Sequence, residues 1–256
     1  MTGERPLRIL HVDDEENQLE FTKLFLEQID RDVKIKSVLT PEEALKLVEE
    51  DSFDCIISDY KMLSMNGIEL AQKLREKSDV PFILYTGQGS EEVAEKAFNA
   101  GVDDYLRKEA EPTHYQVLAK RIRHTVEKYQ AEELCRKVVK ESRDGIFILI
   151  DNKVVFANNA AYLLYEFTNP GYFIGKGISD LIVETERDIH SNPCPKQSDP
   201  ERLFEIDIKT HTGEIKSVEV SSSKISYLGK SAILFFLRDI TQRKHLDKQL
   251  DARVVS

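Results

Sequence analysis

FDCIISDYKMLSMNG, residues 53–67, decides how the first half of the chain is read. Its Cys55-Ile56-Ile57 run carries no polar alternation, as a strand buried on both faces does, and such strands belong to parallel sheets covered by helices. Asp59 ends the run, and Gly67 opens the next helix-spaced segment. The same rhythm extends in both directions. Strand-like stretches are Leu7 to Val12, Val33 to Leu39, Phe53 to Ser58, Pro81 to Thr86 and Asp104 to Arg107. Between and after them lie helical stretches, Glu15 to Ile29, Pro41 to Asp51, Gly67 to Glu76, Ser90 to Ala100 and Thr113 onward. Thr40-Pro41-Glu42-Glu43 supplies a cap, a first-turn proline and a glutamate three residues after the cap, and Ala100-Gly101 supplies a stop. Five strand–helix units predict an α/β domain built on a doubly wound, five-stranded parallel sheet.

From Tyr115 to about Ser142 the pattern becomes one long, charged linker helix. Apolar Leu118, Ile122, Val126, Tyr129, Leu134 and Val138 recur along it every three to five residues. Such a narrow stripe suits pairing with another protomer or packing on its own domain. Beyond it the rhythm is strand, turn, strand: Gly145 to Ile150, a turn at Asp151-Asn152, then Lys153 to Phe156. A short helical region starts at Asn158, and three longer strands follow, Leu203 to Lys209, Ile215 to Ile225 and Ser231 to Leu237. Alternation from Glu214 to Val220 and the glycine turns at Gly213 and Gly229 predict an antiparallel sheet with one wet face, hence a second, α+β domain. Asp239 onward reads as a helix with Leu246, Leu250 and Val254 in register.

The chain has 256 residues, 41% hydrophobic and 32% charged, room for two domains of ordinary size. Apolar runs such as Ile146 to Ile150 fall far short of the roughly 20 residues of a membrane helix, and the start lacks a signal-peptide core. A cytoplasmic protein with no membrane partner is expected. Cys55, Cys135 and Cys194 are odd in number and lack Cys-x-x-Cys spacing, so neither a disulfide framework nor a zinc site is suggested. The formal charge is −10, and residues 1–128 hold 18 Lys and Arg against 27 Asp and Glu. The remainder is nearly neutral, so no basic field awaits a phosphate backbone and direct nucleic-acid binding is not expected.

In an open α/β sheet, ligands bind beyond the carboxyl ends of the strands. There the first strand ends in Asp13-Asp14, the third in Asp59 and the fourth in Thr86, while Lys108 follows the fifth. Converging carboxylates stay ionised together when a cation joins them, and oxygen-only ligands select a hard ion, Mg2+ first. A lysine and a hydroxyl beside that cluster suit the oxygens of a transferred phosphoryl group, which makes an aspartate nucleophile plausible chemistry.

In order, spacing and strand context, ILHVDDE (9–15), FDCIISDYKMLSMNG (53–67), FILYTG (82–87) and DYLRKE (104–109) resemble the receiver domains of two-component response regulators, over residues 7 to about 125. The resemblance implies a flavodoxin-like fold with Asp59 as phosphoacceptor. It makes Asp13 and Asp14 the Mg2+ acids, Asp14 favoured as direct ligand, joined by Asp59 and the backbone carbonyl of Lys61. Thr86 and Lys108 would hold phosphoryl oxygens, and Tyr105 would be the aromatic switch that turns inward after Thr86 moves. Two positions depart from the pattern, Leu63 where the family has Pro and Asn66 where it has an acid, and both bear on loop rigidity and phosphoryl lifetime.

DGIFILI (144–150), NKVVFANNAAYLLYEFT (152–168) and the closing FFLRDITQRK (235–244) resemble a PAS domain. Other suggestive residues have plainer readings. His190 is cut off from a haem-ligand helix by Pro193 and Pro195, and Cys194 lacks the surroundings of a flavin-reactive thiol. His124 lacks an acidic neighbour to act as base, and Gly171 to Gly177 has neither the spacing nor the Ser/Thr of a phosphate loop.

The expected layout is a receiver over 1–125, a linker helix over 115–142, a PAS domain over 131–242 and an exit helix and tail over 243–256. Such an assembly looks like archaeal regulators of methanogen or haloarchaeal style. It implies a phosphoacceptor rather than an enzyme, served by a cognate sensor histidine kinase and signalling through homodimerisation or a downstream protein partner. The competing expectations are a transcription regulator that reaches DNA directly or through a partner, and a truncated relative of a hybrid histidine kinase.

Overall fold

In the computed structural model, residues 5–87, 90–109, 111–169, 171–177, 181 and 202–254 are described. Their contacts divide the chain into two units, 1–133 and 134–256.

The first unit alternates β1 (Leu7–Val12), α1 (Glu16–Ile29), β2 (Val33–Val38), α2 (Pro41–Glu50), β3 (Cys55–Ser58), α3 (Gly67–Arg75), β4 (Phe82–Thr86), α4 (Glu91–Asn99), β5 (Asp104–Arg107) and α5 (His114–Glu141). All five strands are parallel, in the order β2-β1-β3-β4-β5. Successive side chains on a strand point to opposite faces, and here each face has its own core. Leu10, Ile56, Phe82 and Leu84 pack with Ala44 of α2, Leu70 of α3 and Ala97 of α4. Ile9, Ile57, Ile83 and Tyr85 pack with Leu26 of α1 and with Leu118, Ile122 and Val126 of α5. That two-faced burial is why the central strands β3 and β4 read as nearly unbroken apolar runs.

Helix starts follow local chemistry. Thr40 Oγ1 accepts from Glu43 N–H at 3.3 Å, with Pro41 in the first turn of α2. Asn66 caps α3 reciprocally: its Oδ1 accepts from Ile68 and Glu69 N–H at 3.0 Å each, and Glu69 Oε2 accepts from Asn66 N–H at 3.1 Å. Gly67 is needed there for room, since a Cβ would lie 2.3 Å from the Asp59 carbonyl oxygen.

The apolar stripe of α5 divides. Leu118, Ile122 and Val126 are buried in the first unit's core, whereas Leu134 and Val138 are 63% and 62% exposed. Packing on its own domain therefore accounts for the first half of the stripe.

The second unit comprises β6 (Gly145–Ile150), β7 (Lys153–Ala157), α6 (Asn159–Leu164), β8 (Arg202–Lys209), β9 (Ile215–Tyr227), β10 (Lys230–Asp239) and α7 (Thr241–Val254). Its sheet is antiparallel throughout, in the order β7-β6-β10-β9-β8. Asp151 and Asn152 both take positive φ in the β6–β7 turn, as Leu228 and Gly229 do between β9 and β10, the backbone twist that tight hairpins require. The core gathers rings around Phe173, fully buried against Phe147, Tyr162, Tyr165 and Phe167 at centroid distances of 4.9–5.3 Å. Asn158 caps α6 from a buried position and uses its whole amide. Oδ1 accepts from Ile146 and Ala161 N–H, and Nδ2 donates to the carbonyls of Val139 and Asp144.

Candidate functional site

The carboxyl ends of the parallel strands gather the first unit's buried charge. Asp13 follows β1 and is 1% exposed, and Asp59 follows β3 at 8%. Strands β1 and β3 are direct neighbours, so the two acids end up side by side. Lys108 follows β5 and reaches both: Nζ lies 2.6 Å from Asp13 Oδ2 and 2.9 Å from Asp59 Oδ1. Backbone donors take the other oxygens, Glu15 N–H on Asp13 Oδ1 at 3.0 Å and Lys61 N–H on Asp59 Oδ2 at 2.7 Å.

Two carboxylates facing one ammonium leave a formal charge of −1 in a largely buried place. Burial pushes the Asp13 carboxyl above its ordinary value, against the pull of Lys108 and the Glu15 N–H. For Lys108, burial disfavours the charged form, but the charge of Asp13 and the hydrogen bonds to both acids outweigh it and hold the ammonium above the usual lysine value. Two residues before Asp13, His11 is fully buried, and neither ring nitrogen has a hydrogen-bond partner among the described residues. Burial, reinforced by the charge of Lys108, lowers it to about 3, so it adds no charge to the site near neutral pH.

Thr86 ends β4 at 1% exposure, and its carbonyl accepts from Lys108 N–H at 2.8 Å. Tyr105 of β5 is half-buried against the core on the α2–α3–α4 face. Asp14 is half-buried, and no hydrogen bond or ion pair joins it to Asp13 or Asp59; the described residues hold no ready cluster of three or more metal-ligating His, Cys, Asp or Glu side chains. The side chain of Lys61 is exposed, and it is the residue's amide that contacts Asp59. Leu63 is 96% exposed, and Asn66 serves as the α3 cap.

Sequence reasoning passed over two features here. The Asn66-x-x-Glu69 capping box was readable, since that spacing is its signature. Tyr85, whose ring lies 5.5 Å beneath Lys108 Nζ, gave no signal, because an aromatic in a buried strand looks like any other core residue. His124 is an exposed helix residue. The segment from Gly171 to Lys176 is a turn tied to β7 through Gly175 N–H on the Val154 carbonyl at 2.8 Å. His190 and Cys194 lie outside the described residues.

Comparison with known proteins finds two families along the chain. Residues 9–123 match the response regulator receiver domain, and residues 143–242 match a PAS domain. The chain is thus a two-component response regulator with an N-terminal receiver domain and a C-terminal PAS domain. The transcriptional regulatory protein SrrA of Staphylococcus aureus is 31% identical over 156 residues, 57% of this chain and 64% of SrrA, so less than two thirds of that relative is spanned. A CheY-like response regulator receiver domain protein from Methanospirillum hungatei JF-1 is 30% identical, covering 50% of this chain and 98% of its own with a TM-score of 0.45. The signal receiver domain of an HD domain-containing protein from Pseudomonas fluorescens Pf-5 is 25% identical over 52% of this chain and 96% of its own, with a TM-score of 0.47. No described helix is long and apolar enough to cross a membrane.

Proposed function

We propose that Asp59 is the phosphoacceptor of a two-component phosphorelay, charged by the phosphohistidine of a sensor histidine kinase. The observation that carries this reading is the meeting of Asp59 and Asp13 on one ammonium, that of Lys108, at the carboxyl ends of parallel strands. An Asp59 carboxylate oxygen attacks phosphorus, the bond from phosphorus to the donor imidazole nitrogen breaks, and the imidazole leaves with the electron pair. Lys108 neutralises the equatorial oxygens in flight, and Thr86 hydrogen-bonds one of them in the product. The phosphoryl group adds negative charge beside Thr86, and Tyr105, packed against the same core, follows its movement.

The donor set suits Mg2+. It is hard oxygen, it carries uncompensated negative charge, and the raised Asp13 carboxyl is the kind that a cation keeps ionised. Asp13, Asp14, Asp59 and the Lys61 carbonyl would hold the ion, which when bound supplies charge neutralisation for the incoming phosphoryl group.

Output then passes through protein contacts of the receiver and PAS domains in a homodimer or with a downstream partner, in the cytoplasm. Leu134 and Val138 on α5 and Leu246 and Leu250 on α7, all roughly 60% exposed, suit such contacts. The likeness to SrrA favours a second reading, transcriptional regulation, which a salt-dependent gel shift would reveal. Mg2+-dependent labelling by acetyl phosphate or a phosphohistidine donor is expected to vanish in Asp59→Ala, and label persisting there would move the site elsewhere. Identical scattering profiles of the phosphorylated and unphosphorylated chain would remove the dimer switch.

A further inference from the structure

Lys108 carries its ammonium at the start of the connection from β5 to α5, and the first residue of α5 ties that connection down. His114 is buried at 8% exposure, with Nδ1 2.5 Å from the Glu111 carbonyl oxygen and Nε2 hydrogen-bonded to Tyr85 Oη. A carbonyl can only accept, so Nδ1 bears the proton and donates; Nε2 is then the acceptor and the Tyr85 hydroxyl the donor. Tyr85 is fully buried, precedes Thr86 on β4, and places its ring under the Lys108 ammonium. On its other flank His114 packs on Tyr115, which stacks on Phe25 of α1 at 4.7 Å. One imidazole thus joins the loop behind Lys108, the strand end that carries Thr86, and an aromatic stack reaching α1.

We propose that His114 is the positioning residue of the Lys108 loop. By holding the Glu111 carbonyl and the Tyr85 hydroxyl together, it fixes the ammonium against Asp13 and Asp59 and so sets the rate at which Asp59 is phosphorylated, without touching the phosphoryl group. Both bonds are needed because they fail in different directions. Without the Nδ1 bond the Glu111 carbonyl keeps only the His114 backbone N–H at 3.1 Å, so the loop can tilt on α5, and without the Tyr85 bond the whole turn can slide along β4. This inference rests on the phosphoacceptor reading given above.

The test is the initial rate of labelling of the full chain by acetyl phosphate with Mg2+, beside the affinity for Mg2+ measured by calorimetry. His114→Phe keeps a ring in the stack and removes both side-chain hydrogen bonds; the labelling rate is expected to fall about ten-fold, the scale set by a sub-ångström misplacement of a charged group, with no loss of Mg2+ affinity. His114→Asn can still donate to Glu111 and His114→Gln can still reach Tyr85, so each should retain part of the rate. Tyr85→Phe combined with His114→Phe should label no more slowly than His114→Phe alone, since the two changes break the same bond. Val126→Ala, which loosens α5 farther along, should lower thermal stability and leave the labelling rate at 25 °C as it was.

Wild-type labelling by His114→Phe would overturn the inference, as would an equal loss in Val126→Ala or a parallel loss of Mg2+ binding. Failure of the wild-type chain to label, or label that survives Asp59→Ala, would instead overturn the phosphoacceptor reading and take this inference with it.

Discussion

Asn158 and His11 are both buried polar residues at the first strand of their units, His11 within β1 and Asn158 bonded to β6, yet their surroundings differ. Asn158 spends all four of its hydrogen-bonding positions on backbone groups of the second unit. His11 has none of its own satisfied among the described residues, and it stands two residues before Asp13, a member of an ion trio that is itself out of balance by one charge. Buried polar groups are normally paired because leaving one unpaired costs about 1–3 kcal/mol. Asn158 follows that rule and so holds β6 and the start of α6 in register, although Ser222 Oγ on β9 is buried without a hydrogen-bond partner among the described residues. In the receiver, His11 departs from it two residues before a strand end where the ion trio carries one excess negative charge.

Acid should expose the difference most strongly. The His11 imidazole takes its proton near 6.5 in the unfolded chain but only at about 3 when folded. Below pH 6.5 the unfolded state therefore binds more protons, and receiver stability present above that pH is lost as pH falls, by about 1.4 kcal/mol per unit and on the order of 5 kcal/mol by pH 3. Asp13 acts in the opposite sense over the carboxylate range, because its raised carboxyl protonates first in the folded state and offsets part of the loss. Hydrogen exchange of β1 and β3 peptides between pH 6.5 and 4.5 reads the slope before most carboxylates titrate. His11→Leu should flatten it, and an unchanged slope would remove His11 as its source.

Removing Lys108 comes next. Lys108→Met leaves Asp13 and Asp59 facing each other without their shared cation, and breaking such a buried pair costs about 3 kcal/mol. Mg2+ should restore much of that stability, while labelling falls by roughly 100-fold because the phosphoryl oxygens lose their nearest positive charge. If denaturant titrations with and without Mg2+ give the same deficit, the acids are not the ion's ligands. In the other unit, Asn158→Ala removes the partner of the Ile146 and Ala161 N–H groups and of the Val139 carbonyl and takes away the α6 cap, while the Asp144 carbonyl keeps Ser142 Oγ, for about 2–3 kcal/mol. Exchange should accelerate in β6 and α6, and the labelling rate should not move; a slower rate would break the contrast between the units.

Much of this contrast was readable before any coordinates. The strand ends carrying Asp13, Asp59 and Thr86 follow from mostly apolar runs that stop at polar residues, and the parallel order brings those ends to one edge. Hairpin turns at Asp151-Asn152 and at Gly229 were legible because Asp, Asn and Gly are the residues that tolerate positive φ; that Leu228 shares it was not. The contribution of His114 was not legible, since it depends on Tyr85, 29 residues away, meeting it across the interior. His11 was hidden for a related reason: within ILHVDDE it looks like a polar break in a strand, and only its depth reveals an unpaired imidazole. The division of the α5 stripe was equally hidden, because spacing alone does not say where a helix leaves its own core.

The smallest effect belongs to Glu166 in the PAS unit, and it tests whether the second unit carries an acid-sensitive point of its own. Hydrogen bonds from Thr212 Oγ1 and the Lys216 ammonium hold its carboxyl down at about 2, against an ordinary 4.5. Between those values the unfolded state binds the extra proton, so the stabilisation is complete above pH 4.5 and fades as pH falls toward 2. Solvent screens the pair, which keeps the effect slight and makes it weaken further with salt. Glu166→Gln can keep the Thr212 contact while losing the charge, so exchange at the β8–β9 hairpin should lose its dependence on pH in that window and change little at pH 7. A hairpin equally acid-sensitive in Glu166→Gln would mean that the PAS unit's response originates elsewhere.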